Sequence, residues 1–474
     1  METTATAFSR RATLQPDRSL SSLRSKQCIR KAPNFNFYAS VPIWGDDAES
    51  IVFAQAFGKG RTIVFRFSLD SNDGDVLPPC SPQASFPDRP SMRAALWSAV
   101  ASVWHECSEL PDAGDPDTVV DIFSYGSWKI YHETLFNNYV DLLLPLDEFS
   151  VQHPIEAIGF KRAWYDAISL GGRGCTTLVH HASDPGHKLV FKGIDFRTFL
   201  DTYESGHAQE EVMIFKRSTE LASNMPRHPN ILLPPRTFVT VSRPAANTPV
   251  VCGSLYPFYP NGSLAGKIEE SNAAGKRIPL LLKAKWCHQM AAALAHTHFV
   301  ARTYHMDVKP GNFILDEDSN LVLIDWEQFD ASVTTAAPEI DGTWDAEEVQ
   351  VQAADGTSSK ALRYTKYQGP ERRNMPDTTP GDNGWNQEDC PKASKLDEVF
   401  SLGRSMWMLL RQCDKDGFEG IENTEDIVED WTSSDDIPSD WKEAVEGCLK
   451  RDPNDRTSLQ DIYDFLEAAF EAFE

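Results

Sequence analysis

The most constraining feature of the sequence is the polar segment His305-Met306-Asp307-Val308-Lys309-Pro310-Gly311-Asn312. Two short apolar runs follow it, at 313–315 and 321–324, and the polar residues between them predict a β-hairpin. Asp325 stands at the end of this hairpin. Because a hairpin returns the chain to where it began, we expect Asp325 to lie near Asn312. The sequence therefore predicts one polar site shared by a loop and a hairpin.

The side chains of this segment suit phosphoryl transfer, in which catalysis is mostly positioning and charge neutralisation. Asp307 can accept the proton of an attacking hydroxyl, and Lys309 can bind a negative γ-phosphate. Asn312 and Asp325 offer the hard oxygen ligands that Mg²⁺ prefers. The alternative is a solvated acidic loop beside a buried hairpin. The spacing of the four residues favours the phosphoryl-transfer site.

This pattern resembles the catalytic loop and magnesium motif of eukaryotic protein kinases, H-x-D-x-K-x-x-N followed by D-F-G. The resemblance implies that ATP is a substrate and Mg²⁺ a cofactor. It also implies that Asp307 and Lys309 are catalytic and that Asn312 and Asp325 are metal ligands. Lys309 is the residue that serine/threonine kinases carry at its position, so a protein with serine or threonine is the implied acceptor.

The sequence upstream resembles the ATP-binding strands of the same family. Gly172, Gly174 and Val179 align with the glycine-rich loop, whose backbone N–H groups can approach phosphates closely. Thr177 takes the place of the third glycine. Thirteen residues after Val179, Lys192 resembles the lysine that binds ATP.

A predicted helix over 203–224 is expected to supply the glutamate that orients Lys192. Glu211 and Glu220 both fit, and we prefer Glu211 because apolar residues such as Phe215 lie on its face of the helix.

The sequence that begins at Tyr256 resembles the hinge between the two lobes of protein kinases. Tyr256 aligns with the gatekeeper, and the carbonyl of Pro257 and the N–H of Tyr259 are available to adenine. A proline can still accept a hydrogen bond at that position.

Two glutamates could pair with Arg456, which resembles the late kinase arginine that binds the end of the activation segment. Ala337-Pro338-Glu339 matches the family letters A-P-E better than Gly369-Pro370-Glu371. Glu339 follows Asp325 by only 14 residues, however, whereas Glu371 follows it by 46. We therefore predict that Glu371 pairs with Arg456 and that the residues between Trp326 and Tyr367 form a long surface excursion that contains Glu339.

The resemblance covers about 160–470 and implies an α+β, two-lobed protein kinase fold within 155–474. The expected N-lobe, 155–258, is small and β-rich with one long helix. The expected C-lobe, 259–474, is larger and helical, and Glu398 begins the D-x-x-S-x-G-like start of its central helix with Glu in place of Asp.

Residues 35–150 predict an additional small α+β domain of unknown role. A glycine-flanked hairpin is expected over 51–67, a helix from Ser91, and strands over 118–123 and 139–144.

Residues 1–34 are basic and rich in Ser and Thr. They predict a disordered tail, with a phosphorylation segment and a mitochondrial presequence as alternatives. The formal net charge of -25 argues against nonspecific binding to nucleic acid or to an acidic membrane surface. No apolar run approaches the roughly 20 residues that a spanning helix needs. We expect a cytoplasmic or nuclear protein with reduced thiols, and a mitochondrial location as the alternative.

Three features depart from the kinase pattern, namely Met306 in place of arginine, Glu327 in place of the D-F-G glycine, and a long stretch of 41 residues between Glu327 and Gly369. Thr177 and Glu327 favour, as one alternative, a pseudokinase that serves as a binding scaffold. Asp325-Trp326-Glu327 also resembles small-molecule kinases of the choline and aminoglycoside type. The whole combination resembles divergent fungal protein-kinase-like proteins, and predicts an active serine/threonine protein kinase.

Overall fold

The computed structural model describes residues 18–19, 35–39, 52–58, 61–68, 117–123, 127–132, 134–160, 163–170, 175–181, 184–195, 198–199, 202–203, 206–242, 248–328, 332–340, 343–352, 358–368, 390–421 and 424–473. The fold is mixed α+β. It divides into two compact units, the first formed by Met1–Lys216 and Pro235–Phe258 and the second by Arg217–Pro234 and Tyr259–Glu474.

A six-stranded sheet forms the beginning of the first unit. Its strands are β1 (Arg18–Ser19), β2 (Phe35–Ala39), β3 (Val52–Gly58), β4 (Arg61–Ser68), β5 (Asp117–Phe123) and β6 (Ser127–His132), in the spatial order β1-β6-β5-β4-β3-β2. The antiparallel pairing of β3 with β4 confirms the predicted hairpin, and β5 confirms the strand predicted over 118–123. The helix predicted from Ser91 lies outside the described residues.

A second sheet of seven strands completes the first unit. Its strands are β7 (Leu144–Pro145), β8 (Glu156–Gly159), β9 (Ala163–Ser169), β10 (Cys175–His181), β11 (Asp184–Gly193), β12 (Thr237–Ser242) and β13 (Pro249–Pro257). The order is β8-β12-β13-β11-β10-β9, and β7 pairs with β13. Helix α1 (Thr134–Leu142) and the first part of α2 (Ala208–Asn224) contribute buried residues to the core of this sheet, and the part of α2 after Lys216 belongs to the second unit.

Helix α1 corrects the strand predicted over 139–144. Tyr139, Val140 and Leu143 are all buried, at the spacing of one helix face, and their core also contains Phe191 and Phe238. A short apolar run fits a strand or a helix equally well, and burial against this core decides for the helix. Residues that the sequence placed in the preceding domain thus pack into the core of the second sheet.

The second unit is mainly helical. Its elements are α3 (Leu264–Ala273), α4 (Leu280–Ala295), β14 (Phe313–Leu315), β15 (Leu321–Leu323), β16 (Trp344–Gln352), β17 (Ser358–Lys366), α5 (Pro391–Arg411), α6 (Ser439–Cys448) and α7 (Leu459–Glu471). Every residue from 397 to 410 of α5 is buried, so this helix is surrounded by the rest of the unit. Among the described residues, no helix combines the length and the apolar character needed to cross a membrane.

The strands β16 and β17 form a long antiparallel hairpin. Cross-strand ion pairs join Glu347 to Arg363 and Glu348 to Lys360 on its exposed surface. Leu362 is buried against Cys390 and Ala393, so the hairpin packs on the beginning of α5. A long surface excursion was predicted between Trp326 and Tyr367. This exposed hairpin forms its later part, whereas Glu339 in its earlier part is buried.

Candidate active site

Asp307 lies at the centre of a polar cluster in the second unit. The Nζ of Lys309 is 2.5 Å from Asp307 Oδ2, and the amide of Asn312 donates to the same oxygen at 2.9 Å. The Asn312 amide also donates to the backbone carbonyl of Asp307 at 2.8 Å. A short 3₁₀ turn, Pro310–Asn312, makes this possible, since the fixed φ of Pro310 suits the first turn of a helix. The structure thus brings together three of the predicted residues.

The hairpin of β14 and β15 places Asp325 beside this cluster. The backbone N–H of Ile324 donates to the carbonyl of Asn312 at 2.9 Å, so the residue after it, Asp325, follows directly on that contact. Asp325 has a φ of 72°, in the left-handed region that few residues other than glycine adopt. Such local strain persists only where the surroundings enforce it and is common at functional sites.

Asn312 and Asp325 suit a magnesium ion. Both amide hydrogens of Asn312 are donated to Asp307, which leaves the amide oxygen as a hard donor. Among the described residues, no group of three or more His, Cys, Asp or Glu side chains could hold a metal. An ion held by these two residues would need further oxygen ligands, which phosphate oxygens and water commonly supply to Mg²⁺.

His305 and Glu398 fix the backbone around Asp307. The Nε2 of His305 is 2.7 Å from the carbonyl oxygen of Ile324, and its ring packs on Trp326 with a centroid distance of 4.7 Å. The Glu398 carboxylate accepts hydrogen bonds from the backbone N–H groups of His305 and of Met306, the latter at 2.6 Å. Met306 is held with a φ of 77°.

Glu398 is a positioning residue whose role the sequence did not reveal. Burial acts to raise the pKa of its carboxyl, but hydrogen bonds from His298 and from the Met306 N–H outweigh burial and lower the pKa below its usual range. Glu398 therefore stays ionised and can accept these bonds at neutral pH. Its charge within a wholly buried stretch of α5 was the available signal, because a buried carboxylate requires partners.

Ser332 is a further residue of the site that the sequence did not reveal. Its backbone N–H donates to Asp307 Oδ1 at 3.2 Å, on the side of the carboxylate opposite Lys309. Ser332 also begins a tight turn, since its carbonyl accepts from the N–H groups of Thr335 and Ala336 at 2.9 and 2.7 Å. The sequence gives no signal for this contact, because every residue except proline has a backbone N–H.

Arg456 pairs with Glu339, so the predicted pairing with Glu371 is wrong. The two guanidinium nitrogens donate to the two carboxylate oxygens at 2.6 and 2.8 Å, and both side chains are buried. Glu339 was expected on the surface, yet it is only 5% exposed. The long hairpin of β16 and β17 follows Glu339 in the chain. The 14 residues from Asp325 to Glu339 are enough to reach Arg456. Glu371 itself lies outside the described residues.

Asp397 adds a second buried carboxyl near this pair. Burial, then the charges of Glu339 and Glu398, raise the pKa of Asp397 well above its usual range. Its Oδ1 accepts the backbone N–H of Ala337 at 3.3 Å. The end of the segment that follows Asp325 is therefore attached to α5 as well as to Arg456.

The remaining predicted residues lie mostly in the first unit. Val179 is buried in β10, and Lys192 lies on β11 between Thr176 of β10 and Ser254 of β13. Pro257 ends β13 opposite Leu189 of β11.

Gly172 and Gly174 lie outside the described residues, between β9 and β10. These two strands are antiparallel, as a glycine-rich loop between them requires. Tyr259 belongs to the second unit, where burial and then the charge of Asp316 raise the pKa of its hydroxyl.

Glu211 lies in the first turn of α2, and Glu220 lies in the last part of the same helix. The choice of Glu211 as the partner of Lys192 stays a prediction.

Two known proteins are similar to parts of the chain, whereas no protein-family model matches it. Over 141 residues the chain is 28% identical to a leucine-rich repeat receptor-like serine/threonine-protein kinase of Arabidopsis thaliana, which covers 29% of this chain and 13% of that protein. Over 164 residues it is 27% identical to a CBL-interacting serine/threonine-protein kinase of the same plant, which covers 34% of this chain and 29% of that protein. The chain thus spans less than a third of either relative.

These similarities support a relationship to protein kinases, and the mixed α+β fold is compatible with a kinase fold. Both relatives come from a plant, so they do not support the resemblance to fungal proteins in particular.

Proposed function

We propose that the protein is a serine/threonine protein kinase that transfers the γ-phosphate of Mg-ATP to a hydroxyl of a protein substrate. The arrangement around Asp307 carries this proposal. One oxygen of its carboxylate contacts Lys309 and Asn312, and the other accepts the N–H of Ser332. A carboxylate fixed from both sides, next to a lysine, suits the abstraction of a proton beside a phosphate.

The residues of the second unit have separate roles in this proposal. Asp307 orients the acceptor hydroxyl and takes its proton. Lys309, one-third exposed, can leave Asp307 to contact the γ-phosphate. Asn312 and Asp325 would hold Mg²⁺, which neutralises phosphate charge when it is bound.

The residues proposed to bind ATP belong to the first unit, except for Tyr259, which belongs to the second. Gly172, Gly174 and Val179 would cover the phosphates, and Lys192, oriented by Glu211, would bind them. The carbonyl of Pro257 and the N–H of Tyr259 would receive adenine. These assignments rest on the resemblance to kinases and on the place of Val179, Lys192 and Pro257 on three neighbouring strands.

Two other functions have a specific observation in their favour. Thr177 and Glu327 replace glycines of the kinase motifs, which favours a pseudokinase that binds ATP or a protein without transfer. Asp325-Trp326-Glu327 favours a small-molecule kinase. The buried pair of Glu339 and Arg456 speaks for the protein kinase, because the sequence motifs that contain these two residues resemble those of protein kinases.

The deciding experiment incubates the full chain with labelled Mg-ATP and a degenerate serine/threonine peptide library, and in parallel with hydroxylated metabolites. The control is Asp307→Asn, which keeps the shape of the side chain. If Asp307 is the general base, turnover in this variant falls by roughly 10²–10⁴. ATP binding without transfer above the Asp307→Asn background would favour the scaffold, and transfer to metabolites alone would favour the small-molecule kinase.

A further inference from the structure

Arg404 is a charged side chain inside the second unit. It lies on α5, is 1% exposed and is among the largest fully buried side chains of the described residues. Its guanidinium group lies 5.1 Å from the centre of the Phe400 ring. Its Nη2 forms an ion pair with Glu429, and its Nη1 donates to the backbone carbonyl of Thr334 at 3.3 Å. A buried charge is costly unless it is paired, so the burial of Arg404 requires an explanation.

The partner Thr334 belongs to a short segment, 332–337, that contacts the general base. Ser332, at one end of it, donates its N–H to Asp307. Ala337, at the other end, donates its N–H to Asp397. Between them the carbonyl of Ala336 accepts from the hydroxyl of Thr424 at 2.7 Å. The bond from Arg404 to Thr334 thus lies within the turn that begins at Ser332.

The interactions of Arg404 are better suited to positioning than to stability. Its Nε–H has no acceptor among the described residues, so the guanidinium is incompletely satisfied. Removal of one partner of an ion pair is costly when it leaves the other charge buried. Glu429 keeps about 29% of its side chain exposed and can be hydrated when Arg404 is removed. What an apolar side chain cannot supply is the donor to Thr334.

We propose that Arg404 is a positioning residue that holds the 332–337 segment in the conformation in which the N–H of Ser332 reaches Asp307. Glu429 fixes the guanidinium in place. The effect on catalysis rests on the proposed kinase function, whereas the effect on the segment does not. All the hydrogen bonds and the ion pair named above are made by unmodified side chains and backbone, so no phosphate is required to form them.

Three variants of the full chain test this proposal. Arg404→Met removes the donor and keeps the volume, and Arg404→Lys retains one charged donor. Arg411→Met is the matched control, because Arg411 lies two turns further along α5 and pairs with Asp430, the neighbour of Glu429. Within the described residues, Arg411 donates no hydrogen bond to the 332–337 segment. Its replacement therefore removes a helix-to-loop ion pair without affecting Thr334.

Two measurements are made on each variant. The first is amide hydrogen exchange in peptides that cover 332–340, where the N–H groups of Ser332, Thr335, Ala336 and Ala337 are all hydrogen-bonded. We expect Arg404→Met to speed their exchange about tenfold or more, as loss of a hydrogen bond to a charged group implies. The second is steady-state phosphorylation of a peptide identified from the library.

For the kinetics, we expect Arg404→Met to lower kcat/KM for the peptide by about tenfold or more and to leave the KM for ATP within about twofold. Arg404→Lys should recover part of this loss, and Arg411→Met should match the wild type in both measurements. A role in stability alone would not separate the peptide from ATP in this way.

The outcomes distinguish this proposal from the proposed function. Unchanged exchange in Arg404→Met overturns the positioning role, whether or not the wild type is active. Equally faster amide exchange in Arg411→Met also overturns it. In that case the loop that contains Glu429 and Asp430 would hold the segment, and not the bond from Arg404 to Thr334. If the wild type transfers no phosphate to any peptide, the kinase function fails, and faster exchange in Arg404→Met alone still supports the hold on the segment.

Discussion

The ion pair between Glu339 and Arg456 should be one of the most consequential contacts of the second unit for stability. The exposed fractions of the two side chains are 5% and 0%, and two parallel hydrogen bonds of 2.6 and 2.8 Å join them. Glu339→Ala would leave the guanidinium of Arg456 buried without its carboxylate. Breaking a buried pair from one side typically costs about 3–5 kcal/mol, so we expect Glu339→Ala to lower the free energy of unfolding by that amount.

Arg456→Ala should cost at least as much. It strands Glu339 and also removes the donor to the carbonyls of Leu396 and Lys450, which lie 3.0 and 2.9 Å from the guanidinium. The double variant should destabilise less than the sum of the single variants, because the second change no longer strands a charge. Residues in contact show coupling energies of about 0.5–3 kcal/mol, and this pair should lie in the upper part of that range.

Denaturant unfolding of the single and double variants measures this coupling, with Glu371→Ala as the control. Glu371 is the partner that the sequence predicted, and because Arg456 pairs with Glu339, the effects of Glu371→Ala and Arg456→Ala should add. The pairing with Glu339 is wrong if Glu339→Ala changes the free energy of unfolding by less than about 0.5 kcal/mol, or if Arg456 couples to Glu371 and not to Glu339.

Three further predictions concern activity and pH. Phosphatase treatment should leave most phosphoryl transfer intact, because Met306 carries no charge for a phosphate to neutralise; loss of nearly all activity would contradict this. Asn312→Ala should raise the Mg²⁺ concentration needed for half-maximal activity, since it removes one candidate ligand and two hydrogen bonds to Asp307, and a titration with Mg²⁺ measures it. Burial, then the charges of His296 and His288, lower the pKa of His228 to about 4, below the 6.5 of the unfolded chain, so the unfolded chain binds the proton more readily. The free energy of unfolding should therefore fall as the pH drops from 6.5 towards 4. His228→Asn should reduce this dependence when unfolding free energy is measured against pH. Equal slopes for the variant and the wild type would exclude His228 as the cause.

The loop around Asp307 and the hairpin after it could be predicted from the sequence because their contacts are local. Asn312 lies five residues from Asp307, and β14 and β15 are joined by a short turn. The turn carries its own stabilisation, since Asp316 Oδ1 accepts the N–H groups of Asp318 and Asn320. Such contacts depend on residue type and spacing, which the sequence displays directly.

The tertiary structure alone decided which distant residues complete the site. Glu339 is 117 residues from Arg456, Glu398 is 92 from Met306, and Arg404 is 70 from Thr334. Two segments of similar sequence could each supply the partner of Arg456, and only the packing that buries Glu339 beside Arg456 identified it. A buried charged pair has lost its contact with water, so each charge needs the correct partner. Which pair becomes buried depends on the packing of the whole core. Local spacing therefore identified the polar residues that cluster around Asp307, and only the fold identified the residues that hold them in place.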